Sequence, residues 1–191
     1  MLVNLFSFYY LNKKYKNPDR SVKYISLLHG TLSSIIGLIY LMDIISIKTQ
    51  SFFVLYSLDY IICDLVIYSL YKELKYERNI TYFHHSLFLT GVLLYTENPY
   101  LYSRLIITEF STIPLNLRWI AKFDKNKKLK EICSIFFYIS FFLFRICNCT
   151  HLFLNIKKDY KMYLLGIFLV LNYYWFYLIN LKLKKIYLNF Y

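Results

Sequence analysis

The chain of 191 residues holds a single alanine, Ala121, together with only four glycines, three prolines and four histidines. Glycine-rich phosphate loops, serine nucleophile elbows and zinc knuckles are all missing, and the chemistries built on them go with them. Four histidines cannot supply the HxxxH and HxxHH clusters of a membrane di-iron centre, so neither a metal nor any other cofactor is expected. The four cysteines, Cys63, Cys133, Cys147 and Cys149, lie in or beside apolar runs without CxxC spacing. They predict free, buried thiols and no disulfide framework. A cleavable leader is not expected either, because the apolar residues 1–11 lack a basic stretch before them and a small-residue site after them. No internal repeat, linker or low-complexity tract is visible.

What abounds is apolar. At 58% hydrophobic and 21% aromatic, with polar residues gathered between long apolar runs, the composition is that of a polytopic membrane protein. The runs predict an all-α chain with six transmembrane helices at 22–42, 51–71, the two arms of 81–119, 132–153 and 162–181. Residues 1–20 form a short cytosolic or interfacial segment whose apolar part is too short to span, 21–185 the membrane domain and 186–191 a C-terminal tail. Sixteen basic residues fall on the side of the two termini and the second and fourth loops, against four in the other loops. That bias puts both termini in the cytosol. It accounts for the net charge of +12 without nucleic acid, while a basic cytosolic face would also attract anionic lipids or an acyl-coenzyme A.

The stretch 81–119 is where the chain contradicts itself. Its two apolar arms, joined at Glu97, Asn98 and Pro99, carry His84, His85, Glu109, Asn116 and Arg118. Asn-Pro stops a helix, so the arms run antiparallel. His85 lies thirteen residues before Asn98 and Glu109 eleven after it. At the helical rise both sit roughly 16–20 Å from the turn, level with each other. In a continuous second arm Glu109, Thr112 and Asn116 share one face within about 60°. The first helix carries Ser26, His29, Gly30 and Ser33 at the small-residue spacing that suits a packed face, and Tyr60 and Asp64 share a face of the second. His29, Asp64, His84, His85 and Glu109 are thus expected in the cytosolic half of the bilayer, with Arg145 further toward the opposite side. Each ionisable group costs a few kcal/mol facing lipid, so they should converge on an interior cavity.

These residues resemble a known family. Ser26-x-x-His29-Gly30, Tyr60-x-x-x-Asp64, His84-His85, Glu109-x-Ser111-Thr112-x-Pro114-x-Asn116-x-Arg118-Trp119, Phe144-Arg145 and Asn172-Tyr173-Tyr174-Trp175-Phe176 occur in order. They are similar to the pattern of the TLC-domain membrane proteins, which include ceramide synthases and translocation-associated membrane proteins, and most of all to the small TLC-domain branch. The resemblance covers about 21–184 and implies a six-helix bundle or barrel around a lipid-sized cavity in the endoplasmic reticulum or another endomembrane. In ceramide synthases the histidine pair takes part in acyl transfer from acyl-coenzyme A. Here His84 and His85 match that pair, whereas the downstream aspartates are absent and Glu-x-Ser-Thr stands instead.

Two classes of function follow. In an acyl-transferring enzyme, His84 or His85 is the nucleophile or general base, and Asp64 and Glu109 orient the imidazole or bond a neighbouring helix in neutral form. Tyr60, Asn116, Arg145, Asn172 and Trp175 then bind substrate, although Asn116, Asn172 and His29 equally suit hydrogen bonds between helices. In a non-catalytic lipid-binding protein, or a regulator of membrane composition or trafficking, the same groups form a buried polar network. Membrane lipids are partners in both classes; acyl-coenzyme A belongs to the first.

Overall fold

The computed structural model describes residues 2–157 and 160–188, all of whose regular structure is helical. Lys158 of the fifth loop and the last three tail residues, 189–191, lie outside the described residues. The chain runs α1 (Leu2–Tyr15), α2 (Pro18–Leu41), α3 (Ile47–Leu70), α4 (Lys75–Glu97), α5 (Pro99–Ile106), α6 (Thr112–Phe123), α7 (Lys127–Ser140), α8 (Asn148–Asn155) and α9 (Tyr160–Leu188). A 3₁₀ turn at Ile107–Ser111 joins α5 to α6, and a π-helical segment at Phe141–Cys147 joins α7 to α8.

The starts of these helices are written in polar residues that accept from the otherwise unsatisfied first-turn amides. Asn17 caps α2 through Arg20 N at 3.0 Å and Asn98 caps α5 through Leu101 N at 2.9 Å, each followed by proline at the first helical position. Asn126 caps α7 and Ser46 caps α3 in the same manner. The predicted stop at Asn98-Pro99 is therefore both the end of α4 and the nucleus of α5.

Among the described residues, four helical stretches are long and apolar enough to cross a membrane: Pro18–Leu41, Ile47–Leu70, Lys127–Asn155 through the π segment, and Tyr160–Lys184. Together with their outward faces, this marks an integral membrane protein. Phe52, Leu55, Ile135, Phe136, Tyr163 and Val170 are all exposed, an apolar exterior that water would not tolerate and lipid does. The arms of the central hairpin are not in this set of four. The second arm is not one helix, because the 3₁₀ turn breaks it at Glu109. At the N-terminus, α1 packs along α2 and α3, with Phe8 buried and Asn4 Nδ2 donating to Asp59 Oδ2 at 2.7 Å. Three cysteines are buried as expected, but Cys147 is exposed, since the π segment turns it outward.

Helix α2 is the central strut, packed on α1, α3, α5, the 3₁₀ turn and α6. Its inner face is Gly30, Ser33, Ser34 and Gly37, all buried, and small side chains there let other backbones approach. The approach is closest at Gly37, where a Cβ would stand 2.5 Å from Ile106 Cγ2 and 3.2 Å from Ser103 O. A buried hydrogen bond from Gln50 Nε2 to Ser103 Oγ ties α3 to the same turn of α5. Gly37→Ala is accordingly expected to destabilise the protein by about 1–3 kcal/mol through overpacking. At Gly91, where an added Cβ meets nothing within 4 Å, the same change should stabilise by about 0.5–1 kcal/mol by removing a helical glycine. Thermal unfolding of both variants in detergent checks the contrast.

Candidate functional site

A cavity of about 380 Å³ lies inside the bundle, walled by α2, α3, α4, the 3₁₀ turn, α6, α7, the π segment and α9. Of the nine residues singled out from the sequence, eight line it: Tyr60, Asp64, His84, His85, Glu109, Asn116, Arg145 and Trp175. Asn172 does not. It is fully buried, its Nδ2 donates to Phe168 O at 2.8 Å within its own helix, and its Oδ1 has no hydrogen-bond partner.

The two adjacent histidines have different surroundings, as the ~100° between neighbours on a helix requires. His85 Nε2 lies 2.7 Å from Asp64 Oδ2, both groups are buried, and Tyr60 meets the imidazole edge-on at 5.8 Å between ring centroids. His85 is thereby locked between α3 and α4. His84 is looser: its Nε2 is 3.9 Å from Glu109 Oε1, its Nδ1 is buried without a hydrogen-bond partner, and its ring faces Trp175 at 5.9 Å. Its side chain is 22% exposed against 6% for His85. The imidazole level with Glu109 across the hairpin is thus that of His84, one residue from the His85 used to gauge the depth.

Arg145, expected further toward the opposite side than Glu109, reaches the same carboxylate, Nη2 donating to Glu109 Oε1 at 3.4 Å. Nε donates to Ser111 Oγ at 2.7 Å and Nη2 also to Thr112 Oγ1 at 3.2 Å, while the guanidinium lies 5.5 Å from the Phe141 ring and 6.0 Å from Trp175. Two irregularities make this possible. The π segment inserts an extra residue per turn, which sets Arg145 off the straight-helix position assumed by counting residues. The 3₁₀ turn opposite presents Glu109, Ser111 and Thr112 together, and Phe110 stacks on Phe144 at 4.8 Å to clamp the two irregular segments face to face.

The rest of the wall is a polar ladder on α2. His29 stacks on Tyr60 at 3.9 Å with planes 10° apart, and Asn116 Nδ2 donates to Ser26 Oγ at 3.0 Å. Lys23, buried at the start of α2, belongs to the lining and was not singled out from the sequence. Ser111 appeared only as a motif position, and Thr112 only there and as a neighbour of Glu109 on one face; the signal that could have found them as partners of Arg145 is an arginine inside an apolar run, which must be met by several acceptors. Arg118 lies outside the cavity wall and donates from Nε to Ser134 Oγ at 3.0 Å, fastening α6 to α7.

Removing one member of the buried pair leaves the other charge uncompensated. Arg145→Leu is expected to cost about 3–5 kcal/mol of stability, and Glu109→Leu introduced into that background should restore part of the loss. A double-mutant cycle by thermal unfolding in detergent checks this, and strictly additive losses would show that the pair is not coupled.

The family comparison agrees with this geometry. The TLC domain model matches residues 20–181, which spans α2 through most of α9 and every cavity-lining residue named above. No curated protein and no solved structure matches the chain significantly. The helical cavity, its histidine pair and the extent of the family match together make this chain a member of the TLC-domain family of membrane proteins.

Proposed function

We propose that the protein is a lipid-acting enzyme of the endoplasmic reticulum or another endomembrane, transferring an acyl group from acyl-coenzyme A to a lipid hydroxyl or amine, with His84 as the general base. The observation that carries this is the asymmetry of the pair: His84 fronts the cavity beside Glu109, while His85 is committed to Asp64. With Nδ1 buried, Nε2 is the nitrogen left for substrate. An acyl-imidazole formed on Nε2 would become neutral only by losing the Nδ1 proton, which has no acceptor nearby; the base role avoids that difficulty. Nε2 takes the proton of the acceptor as its oxygen or nitrogen attacks the thioester carbon. The C–S bond then breaks, and the departing thiolate takes the proton from the imidazolium. Glu109, held by Arg145, supplies the opposite charge while the imidazolium exists.

The proposed arrangement has six spans and both termini in the cytosol, so that domain 21–185 crosses the membrane between a short leading segment and the tail. α4 is 23 residues long, enough for a bilayer core. Irregular backbone at membrane depth is tolerated where it is buried or lines a cavity, which is the situation of the 3₁₀ turn carrying Glu109. The cavity wall includes Lys23, Tyr68, Ile80 and Ile179, all near helix ends that adjoin the basic loops, so the thioester would arrive from the cytosolic side. Tyr60, Asn116 and Trp175 then contact substrate, and Asn172 supports α9 from behind.

Purified protein incubated with labelled acyl-coenzyme A and a lipid extract should yield a new acylated lipid by mass spectrometry. His84→Ala should lower that yield by at least about 10²-fold while the melting temperature holds. His85→Ala should lower stability as well, since it strands Asp64. Absence of product from the wild-type protein, with lipid still co-purifying, would replace the enzyme by a non-catalytic lipid-binding protein. Glycosylation mapping that found the termini on opposite faces would overturn the six-span arrangement.

A further inference from the structure

A second, smaller hollow of about 50 Å³ adjoins the main cavity. His84, Phe88 and Glu109 belong to the walls of both spaces, so the two meet at the proposed reacting centre. Both linings are mostly apolar, but the main cavity adds lysine, serine, tyrosine, asparagine and arginine side chains, whereas the second is closed mainly by Leu87, Leu105, Ile106, Leu164, Leu165 and Phe168, with Tyr102 and Thr108 its polar side chains away from His84 and Glu109. They also extend in opposite directions. The main cavity reaches toward Lys23 and Ile80, near the starts of α2 and α4, and the second toward Gly91, late in α4, and Leu164, early in α9.

We propose that the second hollow receives the distal end of the hydrocarbon chain whose carbonyl sits at His84, and that Gly91 and Phe168 set the chain length accepted. This rests on the reading that the main cavity takes an acyl lipid or acyl thioester. A polar arm of the ligand fits the mixed wall on the side of the basic loops. The hydrocarbon beyond the carbonyl has in the smaller hollow a space that opens at His84 and is walled mainly by leucine, isoleucine and phenylalanine. Gly91 matters because it is the wall position where a Cβ would meet nothing within 4 Å, so the space above it belongs to the hollow and a side chain there would occupy it. Phe168 forms part of the opposite wall, on α9, where shortening the side chain would extend the space.

Each methylene buried in such a space raises affinity about fourfold, so the hollow discriminates by length until the chain reaches its end. The test uses full-length protein in detergent and a homologous series of saturated acyl-coenzyme A esters, from short to long, competing for binding by native mass spectrometry. Gly91→Leu should move the preferred length down by about two to four carbons, the extent of a leucine side chain. Phe168→Ala should move it up. Gly91→Leu adds helix propensity and has open space at its Cβ, and a melting temperature measured beside the binding confirms the fold; Phe168→Ala gives an independent shift of opposite sign. If both variants keep the wild-type preference, the chain does not enter this hollow and the proposal is overturned, although binding itself would stand. If the wild-type protein binds no member of the series, the acyl ligand is wrong and the proposal falls with it. A length shift in the absence of any transfer reaction would uphold the proposal and refute only the catalysis.

Discussion

A guanidinium and a carboxylate 3.4 Å apart inside an apolar bundle constrain everything built around them. Neither charge survives in a lipid-facing position at modest cost, and their mutual attraction repays desolvation only if the remaining donors are met. The fold meets them by giving up regular helix on both sides. The 3₁₀ turn gathers Glu109, Ser111 and Thr112 into one concave surface, and the π segment lowers Arg145 onto it. The small-residue face of α2 then becomes a necessity, because a Cβ at Gly30 would stand only 3.3 Å from the Thr112 side chain that closes the cage from behind. Residues that look like separate family signatures are thus parts of one electrostatic requirement.

That requirement also explains why adjacent histidines diverge. Arg145 partly neutralises Glu109, so His84 opposite it meets a carboxylate already spoken for, at a distance too long for a hydrogen bond. Asp64 has no such cation among its hydrogen-bond partners and accepts from His85 at short range. One imidazole is held fast; the other is left with an orphan nitrogen. A buried polar atom without a partner is uncommon in folded proteins, and with Nδ1 shut away in this manner only Nε2 of His84 is left to meet what enters the cavity.

Much of this was legible in the residues themselves. Asn17-Pro18 and Asn98-Pro99 announce two helix starts, and the glycine and serine spacing of α2 announces a packed face. Polar groups stranded in apolar runs announce that they meet one another, and eight of the nine residues chosen on that basis line one pocket. What could not be read has a common cause, which is that periodicity assumes a uniform helix. Nothing in Ile106-Ile107-Thr108, free of glycine and proline, signals the 3₁₀ break, and Phe141–Cys147 gives no outward sign of a π insertion. The meeting of Arg145 with Glu109 and the exposure of Cys147 both follow from that one blind spot. The choice between His84 and His85 depended on a register of one residue, finer than counting from a turn allows. Asn172 differs from the rest: its Nδ2 turns back to the carbonyl of Phe168 in its own helix, and it is not part of the cavity lining.

Only 11% of the most apolar stretch of α9 is buried, although Trp175, Leu178 and Ile179 complete the cavity wall. Chains are inserted from the N-terminus onward, so the charged cage of Glu109 and Arg145 is synthesised well before the helix that shuts it from lipid. For that interval the pocket is an open trough, accessible sideways from the bilayer. The last helix arrives as a closing panel with little grip on the frame, and a chain stopped before residue 160 would carry the polar machinery but no compartment in which to use it.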